Sequence, residues 1–127
     1  MGDIATRQPD GFIKLIDRKK NMIISGGENV YPTEVEAALV QHPAIRDVAV
    51  IGRPDDRWGE RVAAAVVLQT GAQASAEDLI AWSRDRLAGY KRPREIVFLQ
   101  PDQMPRNATG KILHRSLREM FDTLSNS

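Results

Sequence analysis

Asp17-Arg18-Lys19-Lys20-Asn21-Met22-Ile23-Ile24-Ser25-Gly26-Gly27-Glu28-Asn29-Val30-Tyr31-Pro32 is the stretch whose reading decides this chain. A charged cluster runs into a short β-prone segment over residues 21–24, and Gly26-Gly27 then frees the backbone for positive φ. Pro32 follows as the first residue of a helix, where its missing amide is no loss. Glu34 and Glu36 stand near the positive end of that helix. Val35, Ala38 and Leu39 form its buried stripe. His42-Pro43 ends it, because the residue before a proline avoids helical angles.

Working outward, residues 11–17 alternate apolar and polar side chains after an Asp-Gly turn and read as a strand. Residues 44–51 read as another, followed by a polar loop from Gly52 to Gly59. Residues 61–68 are nearly continuous apolar sequence, which predicts a central strand covered on both faces. Thr70-Gly71-Ala72 turns the chain. Ser75 with Asp78 predicts a capping box, Leu79, Ile80, Ser83 and Leu87 mark the inner side of the helix it opens, and Gly89 is a natural stop. Residues 96–99 read as a strand, and Pro101 and Pro105 bracket a loop. From Ile112, the positions of Leu113, Leu117, Met120 and Phe121 predict a last amphipathic helix. The order ββ-α-ββ-α-β-α is that of an α+β fold: an N-terminal β-hairpin, then a small, mainly three-stranded sheet packed with helices. Residues 1–19 read as the end of something larger, because an isolated hairpin is only marginally stable in water.

The bulk numbers narrow the class. A chain of 127 residues with 42% apolar and 28% charged residues suits one soluble domain with a modest core. No run of eighteen apolar residues occurs, so no transmembrane segment is expected, and the charged N-terminus does not read as a secretory signal. Cysteine is absent, which removes disulfides and thiol chemistry and points to a cytoplasmic setting. The two histidines lack metal-ligand spacing, so no metal ligand is assigned within the chain. Between Arg84 and Glu119, nine Lys or Arg stand against four Asp or Glu. That basic third is either a solvated face or a surface for a phosphorylated ligand. No nucleic-acid partner is expected.

No complete catalytic constellation is visible: no phosphate-binding Walker loop, no dinucleotide glycine motif, no hydrolase elbow. Gly26-Gly27 is either a plain hairpin turn or a place where a ligand meets bare backbone. Lys111 is a cation near a helix start, a position mildly disfavoured by the helix dipole and therefore in want of a reason. Trp58 and Tyr90 can be half-buried anchors or aromatic faces for a base, and Arg92 and Arg94 can fork onto phosphate.

Sixteen consecutive positions, Asp17 through Pro32, together with Pro105-Arg106-Asn107-Ala108-Thr109-Gly110-Lys111, resemble the C-terminal domain of the adenylate-forming acyl-CoA synthetases. The resemblance runs from Gly2 to about Phe121. It implies that residues 1–19 are the end of a larger N-terminal domain with the hinge region, and that residues 20–127 are a C-terminal lid. It implies that Lys111, in a Pro-x-x-x-x-Gly-Lys motif, enters the active site of the large domain and serves adenylation. It implies that Asp3 and Arg18 contact the ATP or AMP nucleotide, and that Lys20 is the hinge. Met1 stands where the family normally has Thr or Ser, so the chain is expected to begin inside that motif; read alone, Asp3 is a residue of a frayed terminus. Gly26, Gly27 and Glu28 would line the pantetheine channel, and Trp58, Tyr90, Arg92 and Arg94 would meet the CoA nucleotide. ATP and CoA are the implied substrates, with a carboxylic acid. Mg2+ is expected with ATP but bound outside this chain, and the large adenylation domain is the partner in cis. The whole enzyme is expected to be an AMP-forming acid-thiol ligase, and this chain by itself inactive. Two rivals remain: a carrier-protein-loading adenylation domain, and a stand-alone, non-catalytic binding module.

Overall fold

The structure, a computed structural model, describes residues 21–125. The strand expected over residues 11–17, and the candidate residues Asp3, Arg18 and Lys20, lie outside the described residues. The elements are β1 (Ile23–Ser25), β2 (Glu28–Val30), α1 (Pro32–Leu39), β3 (Ile45–Asp55), β4 (Gly59–Leu68), α2 (Ala76–Arg84), β5 (Glu95–Phe98) and α3 (His114–Ser125), with 3-10 turns at Gly89–Lys91 and Pro101–Gln103. None of the described helices is long and apolar enough to cross a membrane.

The expected three-stranded core is β3-β4-β5. β3 and β4 are antiparallel, and β5 lies parallel to β4 on its other side. The β1–β2 hairpin extends this to five strands by pairing Ser25 with Gly59 at the start of β4. The class is α+β.

The near-continuous apolar run of β4 has the meaning read into it. Val62, Ala64 and Val66 face one cluster, with Val48 and Val50 of β3, Val35 and Leu39 of α1, and Leu79 of α2. Ala63, Ala65 and Val67 face the other, with Ala49 and Ile51 of β3, Leu99, Met104, and Leu117 and Phe121 of α3. Successive strand side chains point to opposite faces, so a strand with helices on both sides must be apolar at every position. Of the described helices, two cover the first face and one the second.

Local signals place the helix starts. Pro32 is at the first helical position of α1. At α2 the capping box forms as expected: Ser75 Oγ accepts from the Asp78 amide and the Asp78 carboxylate from the Ser75 amide, both at 3.1 Å. The end of α2 differs from expectation. It stops at Arg84, and Leu87 is buried from the following turn. Arg92 reaches back to the helix end, its guanidinium donating to the Leu87 carbonyl at 3.1 Å and the Arg84 carbonyl at 3.0 Å. Carbonyls that would otherwise lack partners in the last turn are thereby satisfied from downstream.

The polar loop expected over Gly52–Gly59 is mostly ladder instead. β3 runs on to Asp55 and pairs Arg53 with Arg61, Pro54 with Glu60 and Asp55 with Gly59, leaving only residues 56–58 for the turn. Two things make polar residues and a proline acceptable there. β3 is an edge strand, where proline is tolerated. Its Arg53 is also well paired, with Glu95 at 3.0 Å, Asp122 at 3.2 Å and the Phe121 carbonyl at 3.4 Å. Arg61 joins the same Glu95 at 3.0 Å. This network ties β3, β4 and β5 to the far end of α3.

Candidate functional site

The candidate residues fall into two groups. The first gathers around the short turn between β3 and β4. Gly26 and Gly27 form a two-residue hairpin connection with φ of +61° and +81°, the left-handed pair that a tight β-hairpin needs and that side chains resist. Gly26 also donates its amide to the Trp58 carbonyl at 2.9 Å. A Cβ on Gly26 would come within 2.8 Å of the Trp58 ring, whereas one on Gly27 would meet nothing within 4 Å among the described residues. Gly26 is therefore bare because it packs on Trp58; Gly27 leaves backbone facing open space, with exposed Glu28 beside it.

Trp58 is held from several sides. Asp55 Oδ1 accepts the Arg57 amide at 2.8 Å and the Trp58 amide at 2.9 Å. These bonds, Trp58's foremost, hold the Asp55 carboxyl below the usual carboxylate range. The Arg94 guanidinium lies 4.4 Å from the centre of the indole ring and that of Arg57 5.4 Å. Arg94 also donates to the Gly89 carbonyl at 3.3 Å, bringing in the Gly89–Lys91 turn. Tyr90 packs partly against the first apolar cluster. Lys91 pairs with Glu34 at 2.7 Å, a contact that raises its ammonium above the ordinary lysine range. Gly26, Gly27, Glu28, Trp58, Tyr90 and Arg94 thus belong to one region. Arg92 lies next to it in sequence, but its guanidinium is engaged with the end of α2.

The second group is the loop that carries Lys111. Asn107 Oδ1 accepts three hydrogen bonds, from the Thr109 amide at 3.0 Å, the Thr109 hydroxyl at 2.7 Å and the Lys111 amide at 3.0 Å. The Asn107 amide donates to the Lys111 carbonyl at 2.9 Å, and Gly110 turns with φ +87°. This tight loop leaves Lys111 exposed at the rim of a cleft of about 530 Å³. His114, Arg115 and Arg118 line the same cleft with Asn21 and Asn107, and among the described residues that line it the charged ones are basic. A surface with this balance of charge favours an anionic ligand.

The two regions are anchored toward opposite ends of β3. The Trp58 turn follows Asp55, at its end. The Lys111 loop is tied by Arg106 to Asp47, near its start, at 2.6 Å. Eight residue steps along the strand separate those anchors, about 26 Å.

Sequence reasoning missed Asn107, Arg106, Asp47, Arg57 and Asp55. Asn-x-Thr and Asp-x-Arg-Trp are both patterns in which an Asx side chain bonds the backbone just ahead of it, and that signal was available. Nothing local announces the pairing of Asp47 with Arg106.

Residues 34–111, more than half of the chain, match a family model described as the AMP-binding enzyme C-terminal domain. The chain is 48% identical over 120 residues to a feruloyl-CoA synthase of an Amycolatopsis species, covering 94% of this chain and 24% of that protein. It is 45% identical over 120 residues to the long-chain-fatty-acid CoA ligase FadD13 of Mycobacterium tuberculosis, covering 94% of this chain and 23% of that protein. A solved Mycobacterium tuberculosis fatty acyl CoA synthetase superimposes with a TM-score of 0.75 at 46% identity, over 83% of this chain and 20% of that one. The chain therefore spans about a quarter of the length of the curated relatives it matches.

Proposed function

This chain belongs to the family of AMP-binding enzyme C-terminal domains, and from that premise we propose that it is the lid of an ATP-dependent, AMP-forming acyl-CoA ligase. The observation that carries the reading is the pair of differently built loops anchored at opposite ends of β3. One presents a cation and the other bare backbone, as two successive half-reactions require.

In the first half-reaction a carboxylate oxygen attacks the α-phosphorus of ATP, the acyl-adenylate forms and pyrophosphate leaves. Lys111 steadies the substrate carboxylate and the charge growing at the α-phosphate, an electrostatic contribution from a group already in place. In the second, the CoA thiol attacks the acyl carbon, the thioester forms and AMP leaves. Gly26, Gly27 and Glu28 then flank the pantetheine arm, where the missing side chain at Gly27 gives it room. Trp58 and Arg94 offer an aromatic face and a guanidinium to the CoA nucleotide, with Tyr90 and Arg92 near them.

Asp3 and Arg18 hold the nucleotide, and Lys20 is the hinge between the two orientations. Residues 1–19 finish a large adenylation domain in cis. That domain supplies the acid pocket, most of the ATP site and the Mg2+ that accompanies ATP. The acid is aromatic or long-chain, in keeping with the names of the relatives at 45–48% identity. The enzyme works in the cytoplasm.

The test is the two half-reactions measured separately in the two-domain enzyme. Lys111→Ala should abolish most acid-dependent pyrophosphate release while leaving CoA transfer from pre-made acyl-adenylate nearly intact. Equal loss in both halves would remove Lys111 from adenylation. The 127-residue chain alone should release no pyrophosphate above background, and turnover by it would break the divided-site reading.

A further inference from the structure

Lys111 is carried on a loop, and where that loop sits relative to the sheet sets where the residue stands. Asn107 orders the loop within itself, through partners no more than four residues away. Arg106 does something different. Its Nη1 donates to the Gly110 carbonyl at 2.5 Å, and its Nη2 to Asp47 Oδ1 at 2.6 Å. Its backbone forms an isolated antiparallel bridge with Ile112. Arg106 therefore holds the residues on both sides of Lys111 and joins them to β3, across 59 positions of sequence.

We propose that Arg106, through its ion pair with Asp47, is the positioning residue that sets where Lys111 stands during adenylation. The proposal rests on the role given to Lys111 above.

The geometry needs an arginine. One planar fork engages a carbonyl and a carboxylate through two different nitrogens, and a lysine ammonium has no such fork. The pair is also poorly placed to serve global stability. The Arg106 side chain is 38% exposed and that of Asp47 28%, and solvent-exposed ion pairs contribute little to folding. What the pair does contribute is a fixed distance from sheet to loop. A misplacement of about 1 Å in a reacting constellation can slow chemistry on the order of a hundredfold.

The experiment has two arms. In the two-domain enzyme, Arg106→Ala should lower the turnover of adenylation on the order of 10–100-fold. The Michaelis constants for ATP and CoA should move little, and thioester formation from pre-made acyl-adenylate should be spared. Arg106→Lys should restore only part of the loss. Asp47→Ala should act in the same direction, and the double variant should be hardly worse than Arg106→Ala, because both remove one link. In the 127-residue chain, Arg106→Ala should speed hydrogen exchange at the Gly110, Lys111 and Leu113 amides while the denaturation midpoint stays put.

Unchanged exchange at those amides would overturn the proposal, as would full adenylation in Arg106→Ala when Lys111→Ala abolishes it. Additive losses in the double variant would overturn the link through Asp47. If Lys111→Ala itself leaves adenylation intact, it is the role of Lys111 that fails, and the exchange arm still reports whether Arg106 anchors the loop.

Discussion

The Gly26–Trp58 turn and the Asn107–Lys111 loop are both short, exposed and rich in hydrogen bonds, yet they are built on opposite principles. The first works by what is missing. Its glycines adopt angles that side chains resist, and one of them packs against an indole ring too closely to admit a Cβ. The second works by what it carries, a cationic residue on a loop tied down by two side chains, Asn107 and Arg106. A region defined by backbone should fail when atoms are added, and a region defined by side chains should fail when atoms are removed.

The largest effect expected from that contrast is at Lys111. Removing its ammonium should cost about 10²–10³ in adenylation, the range seen when one preorganised charge-stabilising group is deleted. Added atoms at Gly26 should instead leave adenylation alone and slow CoA transfer. Stopped-flow measurement of each half-reaction separates the two, and a Gly26→Ala variant impaired mainly in adenylation would break the comparison.

A second difference is sensitivity to pH. Glu36 sits half-buried on α1 beside Asp47 and accepts the Val50 amide at 2.9 Å. Burial, reinforced by the Asp47 charge, pushes its carboxyl from the ordinary 4.5 up to about 7, against the opposing pull of the Val50 amide and Arg106. The folded state thus holds a proton that the unfolded state releases. Its contribution to stability is complete below pH 4.5 and lost as pH rises through about 7. At about 1.4 kcal/mol per pKa unit the loss is at most roughly 3–4 kcal/mol, and partial solvent access reduces it. Glu36→Gln should flatten this slope in urea titrations run from pH 4.5 to 8 on the 127-residue chain. An identical slope in variant and wild type would place the titration elsewhere.

Within the hairpin, the two glycines should differ from each other. Both carry the left-handed φ, worth roughly 1–2 kcal/mol against a side chain. Only Gly26 adds a steric conflict, with its Cβ 2.8 Å from the Trp58 ring. Gly26→Ala should therefore lower stability by more than Gly27→Ala in chemical denaturation. Equal losses would mean that Trp58 yields without resistance.

The smallest effects concern the arginines after Gly89. Arg92 caps α2, so Arg92→Ala should lose about 1 kcal/mol of stability by leaving the Arg84 and Leu87 carbonyls short of partners. Arg94 stacks on Trp58, so Arg94→Ala should raise the Michaelis constant for CoA, by up to about tenfold if the contact is worth 1.4 kcal/mol. If Arg92→Ala moves the CoA constant more than Arg94→Ala does, the assignment of duties is reversed.

Much of the fold was legible where physics acts over a few residues. Ser75 and Asp78 bond each other across one helical turn, Pro32 needs no partner, and β4 shows its double burial in its own composition. The candidate site was legible only in part. Lys111, Gly26 and Gly27 stood out through motif and glycine content, and Trp58 and Arg94 were singled out individually. That Arg94 lies on Trp58, that Arg92 turns away to cap a helix, and that β3 extends to Asp55 all depend on partners distant in the chain.

The sequence by itself therefore determined the α+β class, where its helices begin, the freedom for positive φ at Gly26-Gly27 and the motif around Lys111, while the strand at Glu28–Val30 that makes those glycines a hairpin emerged only in the structure. Each is set by steric limits and hydrogen bonds between near neighbours, and by which faces are apolar. Only the tertiary structure decided which side chains share a site and which hold it together. Glu60 meets Ile24 across 36 positions, Arg53 meets Glu95 across 42, and Arg106 meets Asp47 across 59. Charged residues look alike in a sequence, and it is the packing of both faces of β4 that selects which of them come together.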